Sequence, residues 1–227
     1  AVMGWPRTGA RREAVVLFTS GSSGEAKGVV LSHRNLLGNV KQFSEMLNLT
    51  LKDTILSCLP FFHSFGSTVT LWFPLMDGIR AVTYPNALDT VKNIELIERY
   101  AITLFCSTPT FLRGYLRKAE PSQLRSLELI ITGAEKLPNE LAHAFREKFG
   151  KEVLQGYGVT ETAPVVSVNL PEPAPGRPGD SVQPSSRLGS VGKPAPGIAA
   201  QIRDPGTDAP LSLHEVGMLW LRGPDNF

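Results

Sequence analysis

The sequence predicts an α/β fold: a mostly parallel sheet flanked by helices, followed by the start of a smaller β subdomain. Three observations predict it. Strand-like apolar runs alternate with helix-period runs over the first three-quarters of the 227 residues, the order that builds parallel βαβ units. The stretch Pro171–Ser186 then holds five prolines among glycines and serines and reads as a loop. Beyond it, Ala199–Arg203 and Gly217–Arg222 are strand-like with no helical run between them. The expected division is 1–170 for the α/β core, 171–186 for the Pro-rich loop and 187–227 for the start of the β subdomain.

Each element has its own signal. Ala14–Phe18 and Val29–Leu31 are apolar runs on either side of a Gly/Ser loop, as in a hairpin. Ser32 is placed as an N-cap for a helix in which Leu36, Leu37, Val40, Phe43 and Leu47 fall at helical spacing. Thr54–Leu59 and Ala81–Tyr84 read as strands, and the apolar segment between them as helical. Thr90–Tyr100 is expected to be a helix with Val91, Ile94 and Ile97 on one side. Thr103–Cys106 then reads as strand, Phe111–Lys118 as helix and Leu127–Thr132 as strand. Pro138 suits the first turn of a helix over Asn139–Phe149, and Val153–Gln155 is the next strand.

Bulk properties exclude several classes. A net charge of +2, evenly spread, argues against a nucleic-acid partner. The apolar stretch Phe65–Met76 is shorter than the roughly 18 residues of a membrane span, and no secretory signal opens the chain. Cys58 and Cys106 are isolated, and the four histidines lie far apart without metal-ligand spacing. A cytoplasmic location fits. The sequence begins at Ala1 and stops at Phe227 inside what looks like continuing text, so it reads as an excised piece.

The ten residues Thr19–Gly28, TSGSSGEAKG, carry the most chemistry. Gly21 and Gly24 let backbone N–H groups turn towards an anion, and Thr19, Ser20, Ser22 and Ser23 add hydroxyl donors. Lys27 adds a positive charge able to reach a terminal phosphate. The spacing is not that of a Walker A loop, because Lys27 follows Ala26 and strand-like rather than helical sequence comes next. A plain Ser/Gly linker is the bland alternative, but it explains neither the lone lysine nor the apolar strands on both sides. A polyphosphate-holding hairpin tip is the better reading.

A second cluster is Gly156-Tyr157-Gly158-Val159-Thr160-Glu161. It imitates a dinucleotide fingerprint, but Glu161 stands where the third glycine belongs and would repel a pyrophosphate. Taken residue by residue, Tyr157 can stack on a purine, Thr160 can touch a phosphate and Glu161 can hold Mg²⁺. An ordinary glycine turn with a solvated glutamate is the alternative.

Together these segments resemble the adenylate-forming enzymes: acyl- and aryl-CoA synthetases, luciferases and peptide-synthetase adenylation domains. Thr19–Gly28 is similar to their [ST]-S-G-[ST]-[ST]-G-x-x-K-G signature, and Tyr157–Glu161 to their Y-G-x-T-E motif. Thr132-Gly133-Ala134-Glu135-Lys136-Leu137 looks like their adenine-side segment. Gly189–Gly197 resembles a later G-x-x-G-x-P motif, and Gly217–Pro224 a strand ending in R-G-P. Leu59–Gly66, LPFFHSFG, resembles the P-x-x-H-x-x-G segment of acyl-CoA synthetases, in which the histidine, here His63, lines the mouth of the acyl tunnel. Without that context, a lone histidine among phenylalanines is more often a core or interface residue. Amino-acid-activating members carry an aspartate in this region, whereas no acidic residue lies between Thr54 and Met76, so an apolar carboxylic acid is expected. The wording of TGAEKL, and of GYGVTE followed by Ala163–Asn169, is most similar to the synthetase part of bifunctional acyl-carrier-protein synthetase/2-acylglycerophosphoethanolamine acyltransferases. The H-x-x-x-x-D pair of an acyltransferase is not found at any of His33, His63, His143 or His214.

The resemblance implies the large N-terminal domain, in part, of an enzyme that joins ATP and a fatty acid as acyl-adenylate. The acyl group would pass to the phosphopantetheine thiol of acyl carrier protein, with coenzyme A as the alternative acceptor. A non-catalytic nucleotide-binding module is the reading from a different class. Lys27, Thr160, Glu161 and His63 would be catalytic, with Glu161 the Mg²⁺ ligand. Thr19, Ser20, Gly21, Ser22, Ser23, Gly24, Lys27, Gly133, Ala134, Glu135, Gly156, Tyr157, Gly158 and Thr160 would hold ATP. The family's ribose-binding aspartate and C-terminal catalytic lysine would fall beyond Phe227, so the piece alone is expected to be inactive. Membrane association, at the inner face of the cytoplasmic membrane, would come through regions outside it.

Overall fold

The computed structural model describes residues 9–19, 25–47, 49–172 and 184–224. Strands β1 (Glu13–Thr19) and β2 (Lys27–Ser32) form an antiparallel hairpin in which Thr19 pairs with Lys27. Loop residues Ser20 to Gly24 lie outside the described residues. Helix α1 (His33–Leu47) follows β2 without a break. Ser32 caps it: its Oγ accepts from the Asn35 N–H at 3.2 Å while the Asn35 Oδ1 accepts from the Ser32 N–H at 2.9 Å. Leu36, Val40, Phe43 and Leu47 are buried, but Leu37 is 46% exposed. The stripe i, i+4, i+7, i+11 that starts at Leu36 leaves position i+1 on its outer side.

The central sheet has seven strands in the order β4-β3-β5-β6-β7-β8-β9. They are β3 (Thr54–Ser57), β4 (Arg80–Thr83), β5 (Leu104–Ser107), β6 (Leu129–Thr132), β7 (Val153–Gly158), β8 (Val165–Val168) and β9 (Lys193–Pro194). β4 to β7 and β3 are mutually parallel, while β8 and β9 are added antiparallel. Every residue of β3, β5 and β6 is buried, as strands covered on both faces require. On one face Leu56, Phe105, Ile130 and Val153 pack with Ile94, Ile97, Leu112, Leu141 and Phe145. Those partners come from α4 (Thr90–Arg99), α5 (Pro109–Lys118) and α6 (Asn139–Phe149). On the other face Ile55, Leu104, Ile131 and Leu154 pack with Val40 and Phe43 of α1 and with Val69 and Phe73. The mostly parallel α/β sheet is as expected.

Several elements depart from expectation. The apolar segment between β3 and β4 is helical as expected, but in three successive pieces. It comprises α2 (Ser64–Ser67), a π-helical stretch (Thr68–Trp72) and α3 (Phe73–Asp77), which Gly78 ends at φ 71°. Val91 of α4 is 62% exposed, and the buried stripe is Thr90, Asn93, Ile94 and Ile97. Successive steps of three residues lose about 60° each on a helix, so Val91, Ile94 and Ile97 cannot share a narrow face. Pro138 is the N-cap of α6, one residue before its first turn. β7 runs past the expected Val153–Gln155 to Gly158 because Gly156, Tyr157 and Gly158 pair with β8. β9 lies within the span expected for the β subdomain but joins the main sheet. The separate hairpin, β10 (Ala199–Arg203) with β11 (Met218–Arg222), begins after it.

Candidate active site

The chemistry-bearing segments meet at the carboxyl ends of the parallel strands, where ligands of open α/β sheets sit. His63 follows β3, Gly133 and Ala134 follow β6, and Gly156 to Gly158 end β7. An open cavity of about 170 Å³ lies among them. Its wall includes His63, Gly133 and Ala134 together with Gly156, Tyr157, Gly158 and Thr160. Seven positions singled out from sequence therefore face one space. A second cavity of about 110 Å³, beside α6, contains none of them.

Backbone sterics hold the wall in shape. A Cβ at Gly158 would overlap the Pro164 carbonyl, and one at Gly66 the Pro60 carbonyl. Two motif glycines are thus places where chain segments touch. Gly133 meets the Phe65 ring, whose nearest atom would lie 3.4 Å from a Cβ there. The Thr162 hydroxyl lies 2.7 Å from Pro164 O and 2.9 Å from Val159 O, and its single proton serves one of them at a time.

Hydroxyl and imidazole groups are oriented locally. His63 caps α2: its Nδ1 accepts the Phe65 N–H at 3.2 Å, so the neutral ring carries its proton on Nε2. Ser64, 3% exposed, places its Oγ 3.3 Å from the Thr160 Oγ1 and joins the histidine segment to the Tyr157–Glu161 segment. Tyr157 and Thr160 are half-buried, whereas Glu161 is exposed. Glu135 is engaged elsewhere, accepting the Thr110 N–H at 3.2 Å and the Thr110 hydroxyl at 2.7 Å at the start of α5.

The β1–β2 hairpin is held beside this site. Leu17, Val29 and Leu31 pack with Leu36 and with Ala163, which is fully buried. Thr19 and Lys27 form the last pair of the β1–β2 register. The sequence reasoning missed the apolar lining from Phe43, Ile131, Val165 and Val168. These residues come from α1, β6 and β8, and only the tertiary fold brings them together. Cys58 and Cys106 are free and buried. Burial pushes the Cys58 thiol up to about 12 and the Cys106 thiol upward as well.

Known proteins are similar to this chain in sequence and in fold. The chain is 31% identical over 215 residues to 4-coumarate–CoA ligase-like 4 of Oryza sativa subsp. japonica, covering 93% of this chain and 37% of the relative. It is 27% identical over 215 residues to a long-chain-fatty-acid–CoA ligase of Bacillus subtilis, covering 93% and 36%. The crystal structure of ATP-bound MatB from Rhodopseudomonas palustris matches with a TM-score of 0.83 at 30% identity, over 97% of this chain and 41% of that one. The anthranilate CoA ligase AuaEII in complex with anthranoyl-AMP matches at 0.82 with 27% identity, over 96% and 40%. This chain therefore spans well under half the length of the proteins it matches. The fold corresponds to the N-terminal domain of adenylate-forming enzymes. Residues 6–227 match the AMP-binding enzyme family, and the chain belongs to that family.

Proposed function

We propose that the cavity is the acid- and nucleotide-binding part of an acid–thiol ligase. In the first half-reaction a carboxylate oxygen attacks the α-phosphorus of ATP; the P–O bond to pyrophosphate breaks and acyl-adenylate forms. In the second, a thiol sulfur attacks the acyl carbon, loses its proton and releases AMP. The observation that carries this reading is the convergence of His63, Gly133, Tyr157 and Thr160 on one space at the strand ends.

Residue type and the family resemblance support a role for each group. Tyr157 offers an aromatic face to the adenine, and the Thr160 hydroxyl, steadied by Ser64, donates to a phosphate oxygen. Lys27 and the N–H groups of the hairpin tip hold the β- and γ-phosphates. Phe43, Phe65, Ile131, Val165 and Val168 give the acid an apolar wall, which suits a fatty or aryl chain. His63 stands on the same wall with its Nε2–H free to donate.

Glu161 fits a Mg²⁺ ligand. Its carboxylate is exposed and forms no hydrogen bond or ion pair with another described residue. No cluster of three His, Cys, Asp or Glu able to hold a metal occurs among the described residues, and Mg²⁺ is commonly held by one or two carboxylates plus substrate phosphates. The ion would neutralise phosphate charge. For the thiol, the names of the relatives support coenzyme A, while the local text Thr132–Leu137 and Ala163–Asn169 supports acyl carrier protein. No helix among the described residues is long and apolar enough to cross a membrane.

Titration with ATP, AMP and a non-hydrolysable acyl-sulfamoyl adenosine tests the site. The mimic is expected to bind saturably and more tightly than AMP. Lys27→Ala is expected to weaken ATP more than AMP, and Glu161→Gln to remove the Mg²⁺-dependent part of ATP binding. A folded chain that binds none of these ligands overturns the proposal. Tight mimic binding by a protein that never turns over with either thiol would favour a non-catalytic binding module.

A further inference from the structure

Asn39 is fully buried in the middle of α1, an unusual place for a primary amide. Its Nδ2 donates to Val165 O at 2.7 Å and its Oδ1 accepts from Val165 N–H at 3.0 Å. One side chain thus satisfies both backbone groups of one residue, as a neighbouring strand would. The position explains the need. β9 pairs with β8 at Ser167 and Val168, and Ala195 N–H reaches Val166 O at 2.7 Å. At Val165 the amide of Asn39 takes the place of the next strand residue. Val165 is itself buried and lines the cavity, as does Pro164 before it.

We infer that Asn39 is a positioning residue for the acid-binding wall, acting through the Val165 backbone. The inference rests on the proposed reading of the cavity as an acyl-adenylate site. α1 begins directly after β2, so the amide also ties this wall to the element that carries Lys27. A carboxylate could not replace the amide, because it cannot donate to Val165 O. An alkyl side chain would leave a buried N–H and a buried C=O unpaired, and the wall would shift to rehydrate them.

The test compares Asn39→Leu with wild type for two ligands, dodecanoyl-sulfamoyl adenosine and AMP. Loss of the clamp is expected to weaken the mimic by about tenfold and to leave AMP within about threefold, because AMP does not use the wall. Equal losses for both ligands would mark a merely structural role and overturn the inference, as would unchanged mimic binding. If wild type binds the mimic no more tightly than AMP, it is the acid-site reading that fails. Should Asn39→Leu not fold, Asn39→Ser, too short to keep both bonds, is judged by the same ratio. Amide hydrogen exchange in the wild-type chain is independent of any variant: a slow Val165 N–H is expected, and exchange at the rate of an exposed amide overturns the clamp.

Discussion

Gly158 and Gly38 make opposite demands on an added methyl group. At Gly158 a Cβ would land on the Pro164 carbonyl, which belongs to the backbone and cannot rotate aside. At Gly38, in the middle of α1, nothing lies within 4 Å of a Cβ. Neither glycine is among those at positive φ, so the contrast is one of space alone. Gly158→Ala forces β7 and the Pro164 turn apart, an overpacking cost of about 1–3 kcal/mol. Gly38→Ala removes unfolded-state freedom from a helical position and is worth about 0.5–1 kcal/mol in the other direction. For a chain of this size each kcal/mol moves Tm by about 2–4 °C. Gly158→Ala should therefore melt about 2–12 °C below wild type and Gly38→Ala about 1–4 °C above it. Thermal melts followed by circular dichroism, with mimic titration beside them, give the answer. Gly158→Ala should also weaken the mimic, since Pro164 and Val165 line the cavity. A Gly158→Ala chain that melts at or above wild type would refute the close approach, and a shift of both variants in one direction would refute the steric reasoning.

Two further outcomes follow from charge and burial. The Tyr84 hydroxyl donates to the Asp89 carboxylate at 2.7 Å and the Lys92 N–H at 3.1 Å, and these bonds hold the Asp89 carboxyl below its ordinary range. Its contribution to stability is therefore complete above the ordinary carboxylate pKa and lost as pH falls through the lowered folded value. Asp89→Asn keeps a competent helix cap and should flatten the acid limb of a Tm-against-pH curve; parallel curves would contradict this. Cys58 and Cys106, with thiols raised by burial, should resist an aromatic disulfide reagent at neutral pH until denaturant exposes both. Rapid labelling of either thiol in the native chain would count against the packing described.

What could be read from sequence divides along a physical line. The layered α/β architecture was legible because β3, β5 and β6 are short continuous apolar runs and the helices between them carry buried stripes. Several cavity positions were legible because the strand termini hold distinctive residue types, His63, Gly133 and Tyr157 among them. Misreadings arose where distant chain decides local form. The strand expected to end at Gln155 reaches Gly158 because β8 pairs with it, and small residues are tolerated in a strand that another backbone approaches closely. Val91 and Leu37 are apolar without being interior, and helix phase rather than residue type separates them from Ile94 and Leu36. The clamp at Asn39 left no local signal, because its partner lies 126 residues away.

Those same contacts limit how the site's motifs can be interpreted. Gly66 and Gly158 sit inside segments whose resemblance suggests chemistry, yet a Cβ at either would overlap a backbone carbonyl. Their identity is accounted for by shape alone. Lys27, Tyr157, Thr160 and Glu161 differ: Tyr157 and Thr160 line the cavity, Glu161 is exposed, and for Lys27 the strand register needs only an extended residue opposite Thr19. Substitutions at the two glycines should lower stability and binding together, whereas substitutions at the four proposed ligand-binding positions should lower binding with a smaller change in Tm. A ligand-binding site and a mere packing motif give different patterns across these two groups, so the comparison separates chemistry from architecture within a single set of variants.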